Sequence, residues 1–387
     1  MANFGDFQVG IYLDGMMNGT TPDLTTNLAR IEDQAREVLE PEAMGYIVPS
    51  AGDGATTRAN REAFDRWRII PRMLRGTAER DHSTTVLGTR MAAPVMIAPV
   101  GVQTLAHPHG ELATARAATE MGLTYIHSTA ASHDFEQVAE ASGEGSRWYQ
   151  LYYPTDPDVT ESFLERAKAS GYETLVVTLD TTLLGWRPAD LDRGFLPFLS
   201  NVGVANYLSD PAFRSKLDRS PEEDPGSATF LWAGMFPNPG LSLDDLPFLR
   251  ERWDGPIVLK GIVHPDDARA AVDAGVEGIV VSNHGGRQVD GAMGALDALP
   301  RVVEAVGDRA TILFDSGIRT GTDVIKALAL GAEAVLLGRP FLYGLALDGQ
   351  AGVEHVLRCL LAELDLALTL GGYPSIADLG PEALERF

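Results

Sequence analysis

The chain has 387 residues, 45% of them hydrophobic, which is enough for one large core or for two domains. A formal net charge of -23 argues against nucleic acid and anionic membranes as partners and for a soluble protein acting on small molecules. Its one cysteine, Cys359, excludes an internal disulfide and fits a reducing, cytoplasmic setting.

The chain opens Met1-Ala2-Asn3-Phe4-Gly5-Asp6, without the basic start and apolar core of a signal peptide. Within residues 1–90, Asn27–Leu39 and Arg58–Arg66 carry helical patterns and are expected to cap one end of the region that follows. From there, eight short apolar runs recur: Val95–Pro99, Thr124–Ser128, Trp148–Tyr152, Thr174–Leu179, Pro256–Lys260, Gly278–Ser282, Thr311–Asp315 and Ala334–Gly338. Runs such as Leu175-Val176-Val177 show no polar alternation, as expected of strands buried on both faces. Between them, His109–Met121 and Pro265–Ala274 have Ala-rich helical stripes that stop at Gly122 and Gly275. Asp266 and Asp267 open the second of these, where negative charge suits the helix dipole.

Eight β/α alternations predict an α/β fold, a TIM (β/α)8 barrel over residues 91–349 within one domain spanning 1–387. The span 181–255, between the fourth and fifth runs, far exceeds ordinary βα loops of roughly 2–6 residues. It is Pro-rich and reads as a lid or as a surface excursion. The most apolar region, Val324 to Leu347, is broken by Lys326, Glu333 and Arg339 and reads as buried helix and strand rather than a membrane span. In the tail 350–387, Glu354–Leu370 is an amphipathic helix expected to close the barrel bottom or to pack on a partner.

Polar residues gather where the strands end: Gln150 and Tyr152, Thr178 and Asp180 with Arg187 close behind, Lys260, Ser282 and His284, Asp315 to Arg319, and Gly338-Arg339. The C-terminal mouth of such a barrel is where its active sites lie. Lys260 is one of only four lysines, and an apolar strand end is a poor place for an unpaired ammonium. His284 can take a proton near neutral pH, and Arg287 can grip a carboxylate with two parallel bonds. Gly317, Arg319, Gly338 and Arg339 follow the seventh and eighth runs, where barrels often hold phosphate, which points to a phosphorylated cofactor. No Walker A motif, dinucleotide fingerprint or Cys/His metal spacing accompanies them, so no metal site is predicted.

These pieces resemble the FMN-dependent α-hydroxy acid oxidases and dehydrogenases, from about Met44 to Tyr373. The resemblance rests on Ser282–Gln288, Leu259-Lys260-Gly261, Gln150-Leu151-Tyr152, Thr178–Thr181, Asp315–Arg319 and Gly338-Arg339-Pro340. Within that family the likeness is greatest to the lactate 2-monooxygenases, through Gly185-Trp186-Arg187-Pro188, Pro71-Arg72-Met73-Leu74, His264–Arg269 and the long span after the fourth run.

The resemblance implies FMN as cofactor. Pro99, Val100, Gly101, Ser128, Gln150 and Thr178 would then line the flavin ring, with Lys260 at its N1–C2 edge and Ser282 at the ribityl chain. Asp315, Gly317, Arg319, Gly338 and Arg339 would hold the ribityl chain and phosphate. Tyr46 and Arg287 would bind the substrate carboxylate, and Arg187 and Tyr152 would complete the polar side of the pocket, with Tyr152 and Arg287 also counted as catalytic. His284 would be the base, taking a proton from the hydroxyl or from the α-carbon, with Asp180 stabilising its protonated form.

The implied activity is oxidation of an L-2-hydroxy acid, with L-lactate the favoured substrate, by O2. Lactate 2-monooxygenase chemistry (acetate, CO2 and water) is favoured over a 2-hydroxy acid oxidase that releases the 2-oxo acid and H2O2. A dehydrogenase passing electrons to a quinone or cytochrome is a further reading within the family. Outside it, a phosphate-binding isomerase or lyase barrel competes. Glycolate oxidases carry a tryptophan where this chain has Ala130, so a larger substrate such as mandelate also becomes possible. A homo-oligomer, tetramer or larger, is expected from the resemblance alone.

Overall fold

The computed structural model describes residues 3–387, so Met1 and Ala2 of the N-terminal stretch lie outside the described residues. Eight parallel strands close into a barrel. They are barrel strands 1 to 8: Val95–Ile97, Thr124–Ser128, Arg147–Leu151, Leu175–Thr178, Ile257–Ile262, Gly278–Val281, Thr311–Phe314 and Ala334–Leu337. Strand 8 pairs with strand 1, Val335 opposite Val95, and this pairing closes the ring.

The interior layer explains why the runs lack polar alternation. Met96, Ile126, Trp148, Val176, Val258, Val280, Leu313 and Leu336, one residue per strand, form a single buried cluster. Their neighbours, such as Tyr125, Leu175, Val177, Ile279 and Val335, belong to the other cluster, which packs the barrel against its helices. Both faces are therefore dry, and alternation is between two apolar environments. Two residues beyond the interior layer the same inward parity recurs. It brings up Ser128, Gln150, Thr178, Lys260, Ser282, Asp315 and Gly338. The barrel thus turns from apolar to polar in one step at its C-terminal end.

The segment before the barrel does not form a cap over a single end, as the sequence suggested. Helix Ala55–Asp65 packs against the turn His284–Gly286 beside the mouth. The hairpin Thr84–Val86/Thr89–Met91 instead joins the interior cluster through Val86 and Met91. Thr89 Oγ1 accepts from Trp148 Nε1 at 3.0 Å. The hairpin was missed because three-residue strands carry too little pattern to read.

The C-terminal helix also differs from expectation. It runs Arg339–Gly371, kinked at Asp348 and Gly349, and its first turn belongs to the mouth. The helix as a whole packs on helices Gly110–Glu120, Gly321–Ala329 and Ile31–Val38. No helix among the described residues is long and apolar enough to cross a membrane. Among the same residues no cluster of three or more His, Cys, Asp or Glu side chains is placed to hold a metal.

The span 181–255 folds into short helices, among them Ala205–Leu208 and Pro225–Met235. It is fastened to the mouth by Asn206, whose Nδ2 donates to Ser128 O and Thr129 O, each at 3.2 Å, and lies 3.3 Å from His127 Nε2. His127 is fully buried, and burial pushes its imidazole down from 6.5 to about 4. Below pH 6.5 the unfolded chain therefore takes a proton that the folded one refuses. Stability present above pH 6.5 is lost as pH falls toward 4, by roughly 1.4 kcal/mol per unit. In urea melts, the wild type should lose about 2 kcal/mol more than His127→Gln between pH 7 and pH 5. Equal losses would show that His127 is not held neutral.

Candidate active site

One pocket at the C-terminal mouth is lined by Tyr46, Pro99, Val100, Gly101, Ala130, Tyr152, Arg187, Lys260, His284, Arg287, Asp315, Gly317, Arg319, Gly338 and Arg339. Ser128, Gln150, Thr178 and Ser282 do not line it; they lie buried at the strand ends. Asp180 stands behind His284 rather than in the pocket wall.

His284 follows strand 6 in a left-handed backbone conformation, φ 58°. Its Nδ1 is 2.8 Å from Asp180 Oδ1, which also accepts from Thr181 Oγ1 at 3.1 Å. Burial opposes the charge on Asp180, but His284, Lys260 and Thr181 together hold its carboxyl below the usual range. Burial also depresses His284, and more strongly than Asp180 raises it. The resting pair is a carboxylate and a neutral imidazole. An ionised carboxylate only accepts, so the imidazole proton sits on Nδ1 and the Nε2 lone pair is free to act as a base.

Lys260 Nζ lies 3.1 Å from Asp315 Oδ2 and donates to Ser282 Oγ at 3.1 Å. Burial works against its charge, but Asp315 and Asp180 outweigh it and raise its pKa, so the ammonium is fixed. Gln150 Oε1 accepts from Ser128 Oγ at 2.9 Å, while its Nε2 is buried without a partner.

The arginines set the pocket's field. Arg187 Nε donates to Arg287 O at 3.0 Å and its Nη2 to Gln288 Oε1 at 2.7 Å. Gln288 Nε2 in turn donates to Asp180 O at 2.6 Å, which ties the base of the lid to the Asp180 strand end. Arg287 Nη1 donates to Tyr46 O at 2.7 Å and to Pro49 O at 3.0 Å, with its guanidinium over the Tyr46 ring. Burial, with Arg187 adjacent, pushes Arg287 down to about 9, so it is still a cation at neutral pH. Burial pushes Arg319 down to about 10. Arg339 Nη1 donates to Gly285 O at 3.0 Å and its Nη2 to Pro49 O at 3.2 Å, which places it between Arg319 and the His284 turn.

Ion pairs in the site join Lys260 to Asp315 and His284 to Asp180. Among the described residues, Arg187, Arg287, Arg319 and Arg339 donate to backbone carbonyls or an amide and form no salt bridge. Arg187 is buried and the other three are half-buried, and cations so shielded without an ion-pair partner are costly until an anion arrives. The site is thus prepared for two anions, one beside Arg187 and Arg287 and one beside Arg319.

Residues 35–386 match the family of FMN-dependent dehydrogenases. The chain belongs to that family. It is 47% identical, over 99% of its length and 96% of the relative's, to an FMN-dependent alpha-hydroxy acid dehydrogenase of Penicillium citrinum. An L-lactate oxidase of Lysinibacillus sphaericus is 42% identical over 91% of this chain and 90% of that one. A crystal structure of mandelate oxidase superposes with a TM-score of 0.82 at 39% identity, covering 94% of this chain and 98% of that one.

FMN is the cofactor of this FMN-dependent oxidoreductase, and the residues present fit it. The unpaired amide of Gln150 and the fixed ammonium of Lys260 offer donors to a flavin ring. For the phosphate there is Arg319, with Gly338 at the N-cap of the long helix Arg339–Gly371. Gly317 has φ 106°, and a Cβ there would meet Phe64 at 3.1 Å, so the backbone must stay bare at this point.

Sequence reasoning missed Thr181, Gln288 as an organiser, and the pocket residues Leu184, Phe198 and Phe236. Thr181 and Gln288 could have been found as neighbours of Asp180 and Arg287 within the same motifs. The lid residues carry no local signal, because only the folded lid brings them over the mouth.

Proposed function

We propose that the enzyme oxidises an L-2-hydroxy acid bearing an apolar side chain and passes the electrons to dioxygen. The supporting observation is the neutral His284–Asp180 pair sharing one pocket with two unpaired arginines, Arg187 and Arg287. Arg287 and Arg187, with Tyr46 and Tyr152, bind the carboxylate and turn the α-carbon toward the flavin site. His284 Nε2 takes the substrate proton, and Asp180 offsets the charge that the imidazole gains. Burial, reinforced by the charge of Asp180, raises Tyr152, which keeps its hydroxyl protonated as a donor. Bound FMN supplies the two-electron acceptor that dioxygen regenerates.

Gln150, Ser128, Thr178, Lys260 and the backbone at Pro99, Val100 and Gly101 hold the ring. Ser282, Asp315, Gly317, Arg319, Gly338 and Arg339 hold the chain and phosphate. Lys260 favours negative charge on the ring edge beside it. The single buried Cys359 is in keeping with a reducing compartment.

The side-chain end of the pocket is apolar, walled by Val102, Ala130, Leu184, Phe198 and Phe236. Room beside a small Ala130 suits a larger, even aryl, substituent. In Ala130→Phe, turnover of (S)-mandelate should fall at least ~10-fold more than turnover of L-lactate. Parallel losses would remove Ala130 from side-chain selection.

A second reading, lactate 2-monooxygenase chemistry, is supported by the lid itself, which supplies Leu184, Arg187, Phe198 and Phe236 to the pocket wall. A closed lid would keep the 2-oxo acid beside the peroxide long enough for decarboxylation. Product analysis in air separates the two. Free 2-oxo acid with stoichiometric H2O2 establishes the oxidase. Carbon dioxide and the acid one carbon shorter, without free peroxide, establish the monooxygenase.

A further inference from the structure

Ser316 has no role in the chemistry above, yet its backbone is unusual. It sits at φ 89°, in the left-handed region that glycine adopts freely and serine does not. A strained residue that persists in a site is a reason to ask what its side chain does. The side chain is buried, and every bonding capacity of its hydroxyl is used. Oγ donates to Asp315 Oδ1 at 2.7 Å and accepts from Gly285 N at 2.9 Å and Asn283 N at 3.2 Å.

The two amides that it holds flank His284. That residue is itself in a left-handed conformation, and its own N–H donates to Ser282 Oγ at 3.0 Å. Ser282 Oγ in turn donates to Asp315 Oδ1 at 3.1 Å, and Asp315 Oδ2 pairs with Lys260 at 3.1 Å. The Ser316 hydroxyl therefore ties the His284 turn at both ends to the anchored Lys260–Asp315 pair. The turn runs through three successive positive-φ residues, His284, Gly285 and Gly286, and its backbone bonds, from Gly286 N to Asn283 O and from Arg287 N to His284 O, leave the amides of Asn283, His284 and Gly285 to the two serine hydroxyls, so these ties help to decide where the imidazole points.

We propose that Ser316 is a positioning residue. Its hydroxyl locks the left-handed His284 turn and so holds the imidazole in line with Asp180. The inference rests on His284 being the base; that reading fails separately if His284→Ala retains flavin reduction, whatever Ser316 does.

Ser316→Gly and Ser316→Ala test it on the FMN-loaded enzyme. Glycine removes the hydroxyl and relieves the backbone, whereas alanine removes the hydroxyl and keeps the strain. Both should bind FMN, with the glycine variant melting no lower than the alanine variant. Both should reduce flavin at least ~10-fold more slowly at saturating substrate, with the apparent substrate Kd within about 3-fold of wild type. In an Asp180→Asn background, where the alignment is already lost, Ser316→Gly should add less than a 3-fold loss. A crystal structure of Ser316→Gly should show His284 away from its left-handed conformation or its Nδ1 farther from Asp180.

Reduction within 3-fold of wild type overturns the proposal. So does an equal loss in the Asp180→Asn background, which would make the hydroxyl merely structural. So does loss of FMN in place of slowed reduction, which would assign Ser316 to the cofactor. If the glycine variant does not fold, the alanine variant and its Asp180→Asn double carry the same comparison.

Discussion

His284→Ala should lower the limiting rate of flavin reduction by ~10²–10⁴-fold while FMN remains bound. The size follows from the geometry. Nδ1 is committed to Asp180 at 2.8 Å, which leaves Nε2 as the free basic atom, and burial keeps the ring neutral at pH 7. The other candidates in the described pocket lining are engaged: Lys260 is a fixed cation, Asp315 is paired with it, and Tyr152 is raised by burial. FMN retention is expected because His284 holds none of the phosphate-side arginines. The depressed His284 pKa also sets a pH sign. The base form is present at neutral pH, and the rate should fall only as pH drops below the ordinary imidazole value of 6.5. Stopped-flow reduction across pH measures both effects; near-wild-type reduction in the alanine variant contradicts the base role.

Arg287→Lys should raise the apparent substrate Kd by about 10–100-fold and change the limiting reduction rate far less. One edge of the guanidinium is already spent, since Nη1 donates to Tyr46 O and Pro49 O. An ammonium cannot hold those carbonyls and also present a fork to a carboxylate. The carboxylate contributes to ground state and transition state alike, so the loss appears mainly in binding. Titration of reduction rate against substrate concentration checks it, and an unchanged Kd would remove Arg287 from the carboxylate grip.

Much of this site was legible because the barrel makes position follow from parity. Once Val176 or Val280 is read as interior, Thr178 or Ser282 follows on the inward side at the strand end, whereas Asp180 and His284 lie in the turns beyond, where parity no longer places them. The strand runs were readable because they are dry on both faces and bounded by helices with glycine stops. What escaped reading depends on long-range contact. The hairpin at the interior cluster is two strands of three residues, and its meaning lies in the bond from Thr89 to Trp148. Phe198 and Phe236 reach the pocket only through the fold of the lid, which Asn206 fastens to strand 2. Ser316 looked like a loop residue beside Gly317 until its backbone angle and its three close partners were visible. The C-terminal helix was read for its amphipathic face, but the helices that cover that face lie hundreds of residues earlier or on the neighbouring β/α unit.

On the proposed reading, an FMN enzyme with a neutral His284 base and an arginine-gripped carboxylate oxidises 2-hydroxy acids. Anaerobic mixing of the holoenzyme with L-lactate, (S)-mandelate and aliphatic 2-hydroxy acids of intermediate length tests it most directly. The visible absorbance of oxidised flavin should bleach fully with at least one of them, and the 2-oxo acid should form in equal amount. Flavin that stays oxidised with every member of the panel would contradict the account.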